Sequence, residues 1–156
     1  MRGLILILFL FIDQPAQADD WFDFFKRAEL LTGVPAELLY GVAKVESGFG
    51  RDPWPWTIGD KGKPLTFYTM DEMLRYLKQR PHDNLDIGVM QVNLRWHGDK
   101  IRDLRTIIHP WTNVMIGASI LKQCGAGVKP VRSVLACYHG RNDSRYAQKV
   151  IAAMKR

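Results

Sequence analysis

The chain has 156 residues, of which 47% are hydrophobic, and its formal net charge is +6. This length predicts one domain, and this hydrophobic content is enough for a substantial core. The Lys and Arg residues are scattered singly, as in "DKIRDLRTI" and "YLKQR", which argues against a nucleic-acid surface because such surfaces usually carry dense basic blocks.

The N-terminal stretch "MRGLILILFLFIDQPAQADD" has the layout of a secretory signal peptide. Arg2 precedes the apolar run from Leu4 to Ile12, and the small-x-small site at residues 16–18 follows. The alternative is a membrane anchor, but this run is far shorter than the ~20 residues that a spanning helix needs. We expect cleavage after Ala18, which leaves residues 19–156 as a periplasmic domain without stable membrane insertion.

Export of the domain would also determine its binding partner and the oxidation state of its two cysteines. An anionic polymer of the cell envelope is the expected partner of a basic exported domain, and we expect no nucleic acid. Cys124 and Cys137 would meet oxidising conditions, in which an even number of cysteines tends to pair. We expect a disulfide between them, and the alternative is two buried thiols whose Cα atoms lie too far apart.

Two helices and a hairpin are predicted in the first half of the domain. The first helix has Asp20 as a candidate cap, ends at Gly33, and has one apolar face: Trp21, Phe24, Phe25 and Ala28. The second helix begins at Pro35 and runs through Glu46 to a break at Gly48. Alternating residues and a Gly-rich turn between Trp56 and Tyr68 predict a hairpin, which we expect to be the only sheet.

Further helices follow along the chain. Thr69 and Glu72 match a capping box at the start of a helix that ends near Pro81. Two apolar stripes then predict two more helices, the first with Val114, Gly117, Ala118 and Leu121, the second with Val131, Val134, Leu135 and Tyr138. The last helix spans Asp143 to Met154. Because no repeat or linker interrupts these elements, the sequence predicts a mainly helical α+β fold.

The stretch "LLYGVAKVESGFG" places an acid on an apolar stripe. Leu39, Val42, Ala43 and Glu46 occupy positions i, i+3, i+4 and i+7 of the second helix. Burial and the helix C-terminus both disfavour a negative charge, so we expect a raised pKa for the Glu46 carboxyl group. The alternative is a Glu that turns to water or pairs with a cation.

Other catalytic patterns are missing from the sequence. The four histidines show no metal spacing, and there is no C-x-x-C, no H-E-x-x-H and no Gly-rich phosphate loop. We therefore expect no metal, no nucleotide and no other cofactor. Ser47 lacks a triad signature and reads as a helix-end residue. Several polar or aromatic residues in apolar context remain unexplained: Glu46, Asp86, Gln91, Asn93, Tyr138 and Tyr146.

Four segments in this order resemble the motifs of the soluble lytic transglycosylase (SLT) domain family: "VESGF" (Val45 to Phe49), "GVMQVN" (Gly88 to Asn93), "LACYHG" (Leu135 to Gly140) and "RYAQKV" (Arg145 to Val150). "PWPWTI" and "DIGVMQVNLRWHG" further resemble a subgroup of small transglycosylases that is associated with conjugation, pilus and secretion systems. The resemblance implies a lysozyme-like fold whose groove binds the glycan strands of peptidoglycan. It also implies cleavage of the β-1,4 bond between N-acetylmuramic acid and N-acetylglucosamine, with formation of a 1,6-anhydro end.

The resemblance carries roles to individual residues. Glu46 matches the family's single catalytic acid/base, and Tyr138 matches a tyrosine that contacts or orients this acid. The substrate-binding set implied for the groove is Ser47, Gly88, Met90, Gln91, Asn93, Tyr138 and Tyr146, although Tyr138 also lies on an apolar stripe and could be core. Two positions depart from the family pattern: His139 replaces the usual Asn, and Val89 replaces the usual Leu.

Two other functions stay open at this point. A lysozyme-type hydrolase would use Asp86 as a second carboxylate that directs a water molecule, whereas the alternative role for Asp86 is to cap the "IGVMQ" segment. A non-catalytic scaffold would bind glycan or a subunit of a secretion apparatus. Glu46 argues against a scaffold, because a pure binder has no need of an acid set among apolar residues.

Overall fold

The structure, a computed structural model, describes residues 18–48, 51–80, 84–97 and 103–155. The helices in these ranges are α1 (Ala18–Thr32), α2 (Ala36–Ser47), α3 (Met70–Lys78), α4 (Leu94–His97), α5 (Leu104–Ile108), α6 (Pro110–Gln123), α7 (Val131–Tyr138) and α8 (Ser144–Ala153). The strands are β1 (Thr57–Asp60), β2 (Lys63–Thr66), β3 (Leu85–Ile87) and β4 (Val92–Asn93). The mainly helical α+β class predicted from the sequence is confirmed.

The predicted signal peptide lies outside the described residues, apart from Ala18. Within the described ranges, every helix is too short or too polar to cross a membrane. Because α1 begins at Ala18, two residues before Asp20, the prediction that Asp20 caps this helix is wrong.

Side-chain caps lie at the starts of α3 and α8, and the capping box of α3 is the one that the sequence predicts. At α3, Thr69 Oγ1 accepts a hydrogen bond from the Glu72 backbone N–H at 3.2 Å, and Glu72 Oε2 accepts one from the Thr69 N–H at 3.2 Å. At α8, Asp143 Oδ1 accepts hydrogen bonds from the backbone N–H groups of Arg145 and Tyr146, at 3.0 and 3.1 Å. These bonds satisfy N–H groups that have no partner within the helix.

Helix α2 lies in the core and is packed against α1, α6 and α8. The predicted stripe of Leu39, Val42 and Ala43 is fully buried. Gly41 lies against α8, where a Cβ atom would come within 2.9 Å of the Val150 carbonyl oxygen. This glycine therefore allows a close approach of α2 to α8, the two helices that carry Glu46 and Tyr146.

The sheet has four antiparallel strands in the order β2-β1-β3-β4. The predicted hairpin is confirmed as β1 and β2, but the prediction that it forms the whole sheet is wrong. Strand β3 pairs with β1 and with β4, which places Asp86 opposite Asn93 and Ile87 opposite Val92. These strands have three and two residues, which is too short for a periodic signal, so only tertiary pairing reveals them.

A disulfide joins α7 to the end of α6. Cys124 follows the last residue of α6, Cys137 lies in α7, and their Cα atoms are 5.6 Å apart. This distance is within the range of disulfide-bonded cysteines, as the predicted bridge between Cys124 and Cys137 requires. The bridge fixes the start of the segment that leads from α7 into α8.

Candidate active site

Glu46 is the penultimate residue of α2, and its side chain is partly buried. The hydroxyl of Tyr146, in the first turn of α8, donates a hydrogen bond of 2.7 Å to Glu46 Oε1. Tyr146 itself is 8% exposed, so packing fixes the position of this donor. The carboxyl group is held by a neutral donor and, among the described residues, meets no cation, which argues against the alternative left open by the sequence.

Burial raises the pKa of Glu46 from its ordinary value of 4.5 to about 7. The hydrogen bond from Tyr146 acts in the opposite direction, because it favours the ionised carboxylate, and the charge of Asp86 adds to the rise. A carboxyl group with this pKa exists in both protonation states near neutral pH. It can therefore give a proton and take one back in the same catalytic cycle.

Asp86 and Asn93 face each other across β3 and β4. Asn93 Nδ2 donates to Asp86 Oδ1 at 2.8 Å, while Asn93 Oδ1 accepts hydrogen bonds from the backbone N–H groups of Arg95 and Trp96 at the start of α4. Burial raises the pKa of Asp86, whereas the bond from Asn93 lowers it. Among the described residues, the Asp86 side chain accepts its hydrogen bond from Asn93 rather than from the backbone of "IGVMQ", so the suggested cap of that segment is not formed.

A tight turn from Gly88 to Gln91 connects β3 to β4. Gly88 has φ +80° and Gln91 has φ +47°, and the Gly88 N–H donates to the Thr57 carbonyl oxygen at 2.8 Å. Gln91 Nε2 donates to the carbonyl oxygens of Thr57 and Gly88 at 3.1 and 2.8 Å. Because both N–H bonds of the amide are used within the protein, Oε1 is the atom of this amide that could accept a further hydrogen bond.

Asn113, in α6, anchors this turn from below. It is fully buried, its Oδ1 accepts from the Met90 N–H at 2.8 Å, and its Nδ2 donates to the carbonyl oxygens of Ile87 and Ile107 at 2.8 and 3.1 Å. Sequence reasoning missed this residue. The available signal was a polar side chain at helical spacing with Ile116, Gly117 and Ile120, because burial of a polar group is costly unless it is fully hydrogen-bonded.

Tyr138 supports the same turn from α7. Its hydroxyl donates a hydrogen bond of 2.7 Å to the Met90 carbonyl oxygen. Tyr138 therefore makes its hydrogen bond to the turn and not to the acid, and Tyr146 is the tyrosine bonded to Glu46; a role of Tyr138 in orienting the acid stays a prediction. Burial and the charges of Glu46 and Asp86 raise the pKa of Tyr138, so this residue stays a neutral donor close to both carboxyl groups.

The sequence matches the family model described as Transglycosylase SLT domain over residues 23–150. The chain belongs to this family. The matched region contains the site described above, from Glu46 in α2 to Tyr146 in α8. No curated protein and no solved structure matches the chain. Membership of the SLT family implies peptidoglycan as the substrate.

Within this SLT domain, Ser47 is a structural residue. It is fully buried, its Oγ donates to the Ala43 carbonyl oxygen at 2.9 Å, and it accepts a hydrogen bond from the Trp54 N–H at 3.1 Å. A hydroxyl without exposed surface cannot reach a sugar, so the substrate-binding role predicted for Ser47 is wrong. The residue instead ties the end of α2 to the segment that leads into β1.

Two further observations delimit the site of the SLT domain. Among the described residues, no group of three or more His, Cys, Asp or Glu side chains is arranged to hold a metal ion. An open cavity of about 520 Å³ lies away from the carboxyl groups, and its lining belongs to α1 and α6: Phe24, Arg27, Leu30, Leu31 and Trp111. None of the residues near Glu46 lines this cavity. We therefore locate the candidate active site by the carboxyl groups and their hydrogen bonds and not by this cavity.

Proposed function

We propose that this SLT-domain protein is a lytic transglycosylase of peptidoglycan. It would cleave the β-1,4 bond between N-acetylmuramic acid and N-acetylglucosamine and leave a 1,6-anhydro end on the muramic acid. The observation that carries the proposal is Glu46, a carboxyl group with a pKa of about 7 that is held at the end of α2 by the Tyr146 hydroxyl. One such group is sufficient for the reaction.

In the first step, protonated Glu46 gives its proton to the glycosidic oxygen while the bond from that oxygen to C1 breaks. Tyr146 donates to Oε1, which leaves Oε2 as the oxygen that carries the proton. The pKa of Tyr146 is raised by burial and by Glu46, so the phenol stays neutral and does not compete as a base. The carbonyl oxygen of the neighbouring acetamido group bonds to C1 and replaces a second enzyme carboxylate.

In the second step, the C6 hydroxyl of the same muramic acid attacks C1 and displaces the acetamido oxygen. Glu46, now a carboxylate, takes the proton from this hydroxyl and returns to its starting state. No water is consumed. A pKa near neutrality suits both steps, because the group must act first as an acid and then as a base.

The turn between β3 and β4 is proposed to hold the sugar next to Glu46. Gln91 Oε1 is the polar group that we assign to substrate contact. The Asn93 amide is used within the protein by Asp86, Asn84 and the first N–H groups of α4, so it would contact a sugar only by exchanging one of these bonds. Gly88 and Met90 shape the turn: a Cβ atom on Gly88 would come within 2.5 Å of the Asn113 side chain. Fixed placement of the sugar matters because proximity supplies a large part of the rate.

A lysozyme-type hydrolase on the same fold is the second candidate. Asp86 favours it, because its charge contributes to the raised pKa of Glu46 and the two carboxyl groups therefore lie near each other. In a hydrolase, Asp86 would direct a water molecule to C1. The Asp86→Asn variant separates the two mechanisms, since it retains most activity if the acetamido group assists and loses activity if Asp86 directs water.

The test is digestion of purified peptidoglycan followed by mass spectrometry of the products. We expect products with anhydro ends, one water lighter than reducing ends, from the parent and from Glu37→Gln, which removes an exposed carboxylate in the first turn of α2. Glu46→Gln should lower the rate by ~10²-fold or more. Reducing ends together with an inactive Asp86→Asn would support a lysozyme, and glycan binding without cleavage by the parent would support a scaffold.

We also propose an export route and a setting for the enzyme. The apolar run from Leu4 to Ile12 supports secretion with cleavage after Ala18, and N-terminal sequencing of the exported protein should begin at Asp19.

The "PWPWTI" and "DIGVMQVNLRWHG" segments support the proposal that the enzyme opens the wall locally for a conjugation, pilus or secretion apparatus. Transfer or secretion should then fall in cells that carry Glu46→Gln in place of the parent.

A further inference from the structure

His139 lies directly on the tyrosine that holds the acid. It follows the last residue of α7, and its ring is stacked on Tyr146 with centroids 4.0 Å apart and planes only 8° from parallel. The hydroxyl at the far end of the same tyrosine donates to Glu46 Oε1. One face of the Tyr146 ring is thus covered by His139, and any tilt of this ring would move the hydrogen bond to Glu46.

The edge of the His139 ring is held as well. Arg141 Nε donates a hydrogen bond of 3.2 Å to His139 Nε2. A guanidinium group can only donate, so Nε2 must be without a proton and the imidazole must be neutral in this arrangement. Asp143 Oδ2 lies 3.9 Å from the same nitrogen and 3.8 Å from Arg141 Nη2.

We propose that His139 is a positioning residue, which acts on Glu46 through Tyr146, and that protonation of His139 reduces cleavage at acid pH. The inference rests on the proposed function, because it concerns the same acid. Protonated Nε2 would become a donor, so its bond with Arg141 would be lost and Asp143 Oδ2 would become the preferred partner. The ring would then leave its position on Tyr146.

A second effect of protonation acts through charge. A charged imidazole would offset part of the charge of Asp86, with which it interacts, and the charge of Asp86 is one cause of the raised pKa of Glu46. Protonation of His139 would thus favour the carboxylate form of Glu46 at a pH where the reaction needs the acid form. The loss of the stack and the added positive charge both lower the rate at acid pH. Cleavage by the parent should therefore fall on the acid side as well as above neutral pH, where Glu46 itself ionises.

The charged groups around the ring set the pH of this change. Burial and the charge of Arg141 lower the pKa of His139 below 6.5, while Asp143 and, from β3, Asp86 raise it. Hydrogen bonds from the first turn of α8 keep the pKa of Asp143 below its usual range, so this partner stays ionised in weak acid. His139 is therefore neutral at neutral pH and becomes charged only below its ordinary range.

The experiment measures kcat and KM for release of anhydro-ended products across about pH 4 to 9. His139→Phe keeps a flat ring for the stack but cannot be protonated, and His139→Ala removes the stack. We expect His139→Phe to keep kcat near that of the parent at neutral pH and to lose the acid-side fall. His139→Ala should lower kcat about tenfold at neutral pH with little change in KM, since positioning affects the chemical step.

A control variant and the possible outcomes distinguish a failure of the inference about His139 from a failure of the proposed function. His109→Ala removes an exposed histidine at the junction of α5 and α6, and it should keep the parent's acid-side fall. An acid-side fall that persists in His139→Phe would overturn the pH effect, and an unchanged kcat in His139→Ala would overturn the positioning role. If His139→Ala fails to fold, the pH profile of His139→Phe decides. A parent without anhydro-ended products would instead refute the proposed function.

Discussion

Replacement of Glu46 by Gln should stabilise the protein, and the gain should depend on pH. The amide keeps the shape of the side chain and an oxygen that accepts from Tyr146, but it carries no charge. The parent has to hold an ionisable carboxyl group where burial opposes its charge. Above neutral pH that charge is present in the folded parent and lowers its stability, whereas Glu46→Gln carries no such charge.

The size of the effect follows from the two pKa values. The pKa of Glu46 is raised from 4.5 to about 7, and one pKa unit corresponds to about 1.4 kcal/mol, so the full effect is about 3 kcal/mol. Below pH 4.5 both the folded and the unfolded state hold the proton, and no penalty exists. As pH rises toward 7, the unfolded state releases its proton first, and the parent loses stability. Partial exposure of the side chain makes this figure an upper bound.

The assay is urea unfolding of the parent, Glu46→Gln and the control Glu37→Gln at several pH values between about 4 and 8. The difference in unfolding free energy between Glu46→Gln and the parent should be smallest near pH 4 and should grow to at most about 3 kcal/mol at pH 8. Glu37→Gln should show no such growth. A difference that is constant with pH, or that grows toward acid, would refute the reasoning about Glu46.

Three other predictions concern the surroundings of the acid. Tyr146→Phe removes a donor that favours ionised Glu46, so the alkaline fall in activity should move up by about 1 to 2 pH units; an unmoved profile would contradict this role. Asn113→Ala should lower the unfolding free energy by about 3 kcal/mol or more, because three buried backbone groups lose their partner; a loss below about 1 kcal/mol would count against it. Serine at both Cys124 and Cys137 should cost about 3 kcal/mol, and equal stability in urea would speak against the bridge.

The sequence by itself predicted six of the eight described helices and marked Glu46 as the candidate acid, but it missed the short helices α4 and α5. Apolar stripes at helical spacing and local caps, such as Thr69 with Glu72, are encoded within a few residues, so they can be read without the fold. The place of Glu46 on the stripe and at the helix end is also a local property, while its assignment as the catalytic acid/base came from the resemblance to the family. The family motifs gave the order of the remaining site segments.

Only the tertiary structure decided which side chain does what around that acid. The motifs link Tyr138 to the acid and Tyr146 to the groove, yet Tyr138 bonds the Met90 carbonyl oxygen and Tyr146 bonds Glu46. The short strands β3 and β4, the buried anchor Asn113 and the stack of His139 on Tyr146 also depend on contacts between distant segments. Tyr146 and Glu46 are 100 residues apart in the sequence. Their hydrogen bond exists because α8 packs on α2 at Gly41, and such long-range packing has no local pattern from which it could be read.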